Sequence, residues 1–96
     1  MMYELILTSA YKKGYKRMKK RGMDMSLLDK VVEKLQSGEK LDREEYDIHT
    51  LTGPLAGCYD LHIKPDWVLV YRINKSTITL TLVDTGTHQD MKGWGY

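Results

Sequence analysis

The stretch GCYDLHIKPDWVLVYRINKSTITLTLVDTGTH, residues 57–88, decides the fold, because three β-prone runs in it are parted by two sets of turn residues. In Gly57–Ile63 the residues alternate: Tyr59, Leu61 and Ile63 share one face and Cys58, Asp60 and His62 the other, the period of two that a strand imposes. Lys64-Pro65-Asp66 reads as a turn, since proline presets φ and aspartate bonds its own backbone. Trp67–Ile73 is almost wholly apolar, as a central strand is. Asn74-Lys75-Ser76 is a second turn. Thr77–Asp84 then alternates strictly, with Ile78, Leu80 and Leu82 on one face and Thr77, Thr79 and Thr81 on the other.

Upstream, Tyr3–Thr8 is apolar at its centre, Leu5-Ile6-Leu7, and predicts a buried strand. Ser9 is positioned to cap a helix running to Arg21, whose apolar stripe is Tyr11, Tyr15 and Met18. Gly22 is a natural stop. Asp24 caps a second helix that ends near Ser37, with Leu27, Leu28, Val31, Val32 and Leu35 on its buried face. The link at residues 22–24 is so short that the two helices form a hairpin. Residues 39–56 are polar and read as a loop with one helical turn around Arg43–Tyr46. The expected order is β-α-α-β-β-β. This is an α+β fold in which a helical hairpin covers one face of a four-stranded, mostly antiparallel sheet, the other face carrying threonines and staying partly wet.

The chain has 96 residues, of which 42% are apolar and 29% charged, so residues 1–96 are expected to make one globular domain. No apolar run approaches the eighteen or so residues of a membrane span. The N-terminus lacks the basic region and cleavage site of a signal peptide. Cys58 is the only cysteine, which excludes an internal disulfide and fits a reducing cytoplasm. Charge is unevenly placed: Lys12, Lys13, Lys16, Arg17, Lys19, Lys20 and Arg21 make one helix +7, and with a net charge of +2 the rest of the chain is −5. Such a patch can hold a polyanion by releasing counterions. The alternative is a solvated helix face.

The hairpins bring chemistry together. His62 ends one strand, Asp66 and Trp67 begin the next, and the antiparallel fourth strand returns Asp84 and then His88 to the same edge. His49 lies eight residues before Gly57, and an extended stretch of that length spans roughly 26 Å, enough to reach that edge. Imidazoles beside a carboxylate suit proton transfer at neutral pH. RNA supplies its own nucleophile, the ribose 2′-OH, so an enzyme needs only to take that proton, steady the phosphate and protonate the departing 5′-oxygen. Neither metal nor cofactor is required. No short ligand pair such as H-x₃-H occurs, and no metal is expected. The competing structural readings are that each histidine bonds a carbonyl, that Trp67 is core, and that Pro65-Asp66 is only a turn.

These residues resemble a known family. The pattern His49-x₃-Gly53-x₃-Gly57-x-Tyr59-Asp60-Leu61-His62-Ile63-x-Pro65-Asp66-Trp67-Val68-Leu69-Val70-Tyr71, followed by Thr85-Gly86-Thr87-His88, looks like the YafQ branch of the RelE/ParE toxin superfamily. The resemblance implies a RelE-like fold and a bacterial type II toxin that cuts mRNA in the ribosomal A site. It also implies silencing by a cognate antitoxin and no direct binding to DNA except through that antitoxin. His49, His62, Asp66 and His88 become catalytic candidates, with His88 the expected acid and His62, His49 or Asp66 taking the 2′-OH proton. Trp67, Arg72, Lys64 and Lys92 become substrate-binding candidates, and the basic helix becomes a surface for ribosomal RNA. Two positions depart from the pattern. Asp84 stands where the family often has Arg, and an acid there repels phosphate unless it is paired, for example with Arg72 or Lys64. Met91-Lys92-Gly93 stands where a Phe is frequent, with Lys92 and Trp94 expected to supply charge and ring. The alternative is a catalytically weakened RNA-, ribosome- or antitoxin-binding protein of the same fold.

Overall fold

Asparagine chemistry sets the register of the last strand. Asn74 Oδ1 accepts the amides of Ser76 (3.0 Å) and Thr77 (3.2 Å), a turn that continues through Ile78, whose φ is +54°. Left-handed backbone at a β-branched residue costs about 1–3 kcal/mol. The Ile78 carbonyl is thereby aimed at the Glu4 amide, 2.9 Å away, where the first strand begins. The last strand consequently starts two residues later than the alternation suggests.

In the computed structural model, which describes residues 2–91, the order is β1 (Glu4–Leu7), α1 (Ser9–Lys20), α2 (Met25–Gln36), β2 (His49–Thr50), β3 (Tyr59–Lys64), β4 (Trp67–Asn74) and β5 (Thr79–Gly86), with a single 3-10 turn at Gly53–Leu55. The sheet runs β1-β5-β4-β3-β2. Its β1–β5 pair is parallel and the other three are antiparallel. The class is the expected α+β, but the sheet has five strands rather than four. The extra one, His49–Thr50, pairs with Asp60 and Tyr59. Two residues are too short to show a period; the open edge of β3 creates this strand.

Two local expectations are corrected. The α1 cap is Thr8, not Ser9: its Oγ1 accepts the Tyr11 amide at 3.0 Å and donates to the Val83 carbonyl at 2.6 Å, fastening the helix start to β5. β1 is not buried. Leu5, Ile6 and Leu7 are 36%, 43% and 39% exposed, because β1 is an edge strand that pairs with β5 alone. The face away from the helices is only partly wet, since Leu55, Cys58, Val68, Val70 and Met91 form a second buried cluster there. A strand as apolar as β4 needs cover on both faces. The expected turn around Arg43–Tyr46 is present, with the Tyr46 amide donating to the Asp42 carbonyl at 3.2 Å.

The main core joins Tyr11 and Met18 of α1, Leu28, Val31 and Leu35 of α2, and Leu61, Trp67, Leu69, Tyr71, Leu80 and Leu82 of the sheet. Asp24 caps α2 by accepting the Ser26 amide at 3.1 Å. The helices are tied by Tyr15, whose hydroxyl donates to Asp29 at 3.1 Å. Helix α1 lies hard against β5: a Cβ at Gly14 would stand 2.1 Å from the Thr85 carbonyl oxygen. Only glycine permits that approach. Helix propensity alone favours Gly14→Ala by up to about 1 kcal/mol. We expect instead a loss of about 1–3 kcal/mol from overpacking, read as a lower midpoint in urea denaturation. A gain in stability would contradict the close packing.

Candidate active site

Trp67 opens β4 and is only 1% exposed. Its indole Nε1 donates to Thr85 Oγ1 at 3.1 Å, and that hydroxyl donates to the Val68 carbonyl at 2.8 Å. Trp67 therefore locks β4 to β5 and cannot stack on a base, which corrects its place among the substrate contacts. Beyond the lock, β5 delivers Gly86, Thr87 and His88 to the β3–β4 turn. There Asp66 Oδ1 accepts both the His88 amide (3.3 Å) and His88 Nδ1 (3.0 Å). These two bonds, the ring bond first, hold the Asp66 carboxyl below its ordinary range. Asp66 thus orients His88 through both bonds.

His62, at the end of β3, is held from the other side. Its amide donates to the Tyr46 carbonyl at 2.7 Å, and its ring Nδ1 lies 2.9 Å from the Asp47 carbonyl oxygen. A carbonyl only accepts, so Nδ1 carries the proton and the neutral ring keeps its lone pair on Nε2. His49 faces two carboxylates, with Nε2 at 3.1 Å from Asp47 and Nδ1 at 3.4 Å from Asp60. The three rings form a row. The His49 and His62 centroids are 5.9 Å apart, and those of His62 and His88 are 5.4 Å apart. A groove of about 380 Å³ runs beside His62, lined by Glu45, Asp47, Ile63, Lys64 and Pro65.

The structure thus gathers His49, His62, Asp66 and His88, and adds two carboxylates, Asp47 and Asp60, that are not among the sequence candidates. Asp60 lies on the same strand face as His62, two residues away, and alternation could have revealed it. Asp47 has a φ of +48°, a conformation aspartate tolerates, and nothing in its sequence neighbourhood marks it. Among the described residues Asp47, His49 and His62 also offer three ligand atoms within 4.8 Å of one another. Two of the three, Asp47 and His49, form a D-x-H pair two residues apart.

Other candidates fall elsewhere. Lys64 lines the groove. Arg72 lies four residues along β4 from Val68, the partner of His62, about 13 Å at strand rise. It sits near Cys58, where it opposes the upward push of burial on the thiol. Arg72 does not border the His62–His88 pair. Lys92 and Trp94 lie outside the described residues. Arg21, at the end of the basic helix, is committed within the protein: its guanidinium donates to both oxygens of Asp90, at 2.8 and 2.9 Å. Asp84 pairs with neither Arg72 nor Lys64. It is 8% exposed, accepts the Thr85 amide at 2.8 Å, and stands against Gly14 of α1 with Arg17 as the cation acting on it. Its charge is turned under the helix, away from the histidine row.

Residues 3–93 match the family described as the bacterial toxin of type II toxin–antitoxin systems, YafQ. The mRNA interferase toxin YafQ of Escherichia coli strain K12 is 32% identical over 83 residues, which span 86% of this chain and 88% of that protein. A chain of the E. coli DinJ–YafQ toxin–antitoxin complex has a TM-score of 0.85 at 28% identity, covering 95% of this chain and 98% of that one. A metal-bound toxin from Helicobacter pylori has a TM-score of 0.84 at 37% identity, covering 94% and 99%.

Asp84 gives this region a pH signature. Burial raises its carboxyl above the ordinary range, against the Thr85 amide and Arg17, which pull it down. A raised native pKa means that the charge costs stability once pH rises above the unfolded value of about 3.9. Asp84→Asn keeps an acceptor for the Thr85 amide and removes the charge. It is expected to raise the Tm at pH 7, with the gain vanishing below about pH 4. Thermal melts across that range, with no gain at pH 7, would overturn the assignment.

Proposed function

The chain belongs to the YafQ family of bacterial type II toxin–antitoxin toxins, and on that premise we propose that it is an mRNA interferase that cuts message on the ribosome, using the ribose 2′-OH as nucleophile. The observation that carries this reading is the run of three imidazoles, 5.9 and 5.4 Å apart between neighbouring centroids, whose middle ring, His62, borders an open groove. His62, with its Nδ1 proton spent on a carbonyl, presents Nε2 as the base for the 2′-OH. His88, oriented by Asp66, returns a proton to the departing 5′-oxygen. His49 stands at the end of the row, between the carboxylates of Asp47 and Asp60. With Asp84 turned away, Lys64 is, among the described residues, the cation that lines the groove and faces the phosphate's extra negative charge.

The wider role rests on the same premise. Residues 1–96 act as one toxin domain in the cytoplasm, where message and ribosomes are. Lys12, Lys13, Lys16, Arg17, Lys19 and Lys20 face ribosomal RNA. A cognate antitoxin binds and neutralises the protein, a reading supported by the E. coli DinJ–YafQ toxin–antitoxin complex, whose toxin chain it resembles. Asp84 favours a second reading, because no guanidinium occupies a position where the family often has one. In that reading the protein binds the ribosome and cleaves weakly or not at all.

Expression in bacteria followed by primer extension on message separates the two. Wild type is expected to stop translation and leave mapped cleavages, and His88→Ala and His62→Ala are each expected to lower cleavage by about 10²–10⁴-fold. Steeply salt-dependent ribosome binding with intact message supports the second reading. Undiminished toxicity in both variants would remove the catalytic assignment.

A further inference from the structure

The segment after β5 contains a reciprocal lock. The Asp90 carboxylate accepts the Thr87 amide and the Thr87 hydroxyl, each at 3.0 Å, while the Asp90 amide donates back to Thr87 Oγ1 at 3.2 Å. This is the arrangement of a helix capping box, in which residues three apart satisfy each other's backbone donors. The Met91 amide closes the turn on the Thr87 and His88 carbonyls, both at 3.2 Å. His88 is the first residue inside this single turn. Its backbone is therefore held by the Thr87–Asp90 box on one side and on the other by Asp66, which takes both the His88 amide and the ring.

The lock is anchored to another element. Asp90 also takes the two-pronged guanidinium of Arg21, from the last residue before Gly22, and Arg17 stands 4.0 Å away. The Arg21 bond is the largest of several influences that draw the Asp90 carboxyl far below its ordinary range, with the Thr87 donors adding to it. Gly86 makes room: a Cβ there would lie 3.0 Å from Asp90 Oδ2. One carboxylate thus ties the end of α1 to both sides of the turn that carries His88. A surface pair made only for charge has no need of Thr87.

We propose that Asp90 is a positioning residue for His88, and that Arg21 serves this lock rather than RNA binding. The proposal rests on the reading of His88 as the proton donor. Asp90 touches no reacting atom. It fixes where the imidazole stands, and a displacement of about 1 Å at a catalytic group can cost about 10²-fold in rate.

The test is message cleavage in a reconstituted translation reaction, with kcat and KM measured separately. Asp90→Asn is expected to lower kcat by about 10–100-fold while KM stays within about twofold. Asp90→Glu, which keeps the charge and the box, is expected to recover most of it. Arg21→Lys, which keeps the charge and loses the two-pronged geometry, should fall between. Combining Arg21→Ala with Asp90→Ala should cost no more than either alone, because both break one lock. His88→Ala is the control: its full activity would remove the underlying reading and the proposal with it. If His88→Ala is inactive but Asp90→Asn keeps its kcat, or if Arg21→Lys and Arg21→Ala act on KM alone, the positioning role is wrong while the catalytic reading stands. Arg21 is exposed at a helix end, so its variants keep the test decisive even if an Asp90 variant folds poorly.

Discussion

A single hydroxyl holds the working end of this protein together. Thr85 is fully buried, accepts the indole N–H of Trp67 and donates to the Val68 carbonyl. It spans the start of β4 and the end of β5 at the point where the strands must agree in register. Just before it the ladder slips: Val70 pairs with Asp84 and Tyr71 with Leu82, so Val83 is an extra residue. A bulge of this kind bends a strand and re-aims the residues beyond it. Here those residues are Gly86, Thr87 and His88. Without the hydroxyl, a buried indole N–H would be left unpaired, at a cost of about 1–3 kcal/mol, and the register that delivers His88 to Asp66 would lose its pin.

The acids of this region are assigned by surroundings rather than by type. Asp66 is exposed, ionised and bonded to His88. Asp90 is ionised by Arg21 and bonded to the turn. Asp60 is buried beneath His49. Asp84 is buried against α1, where its charge is a cost. Asp60 and Asp47 stand against His49, Asp66 orients the His88 ring, and Asp90 holds the turn that carries His88, while Asp84 stays apart from the row. This division suits a reaction whose nucleophile comes with the substrate. The protein must offer proton acceptors and donors in fixed positions, and the surrounding acids fix them.

Much of this is legible in the chain. The alternation of Tyr59, Leu61 and Ile63, the Pro65-Asp66 turn and the apolar run of β4 define two hairpins, and the hairpins alone predict that His62, Asp66 and His88 meet. The stripes of α1 and α2 predict the main core. The features that escape are decided by partners distant in sequence. β2 is a strand only because β3 has an open edge. Thr8 outcompetes Ser9 as a cap because Val83 lies within reach of its hydroxyl. Arg21 reads as one more cation in a basic helix until Asp90, 69 residues on, claims it. The spacing Thr87-x-x-Asp90 is a readable sign of the capping box. The burial of Asp84 is not readable, since nothing in composition says that Gly14 will press a helix against that carboxylate.

The central claim is that clustered imidazoles move the proton of the ribose 2′-OH onto protein and return one to the leaving oxygen. The chemistry of the cut ends tests it most directly. Cleavage of a message should leave a 2′,3′-cyclic or 3′-phosphate upstream and a 5′-hydroxyl downstream, and a single 2′-deoxy sugar at the cut position should abolish cleavage there. A 5′-phosphate end, or cutting that proceeds through the 2′-deoxy position, would contradict the account.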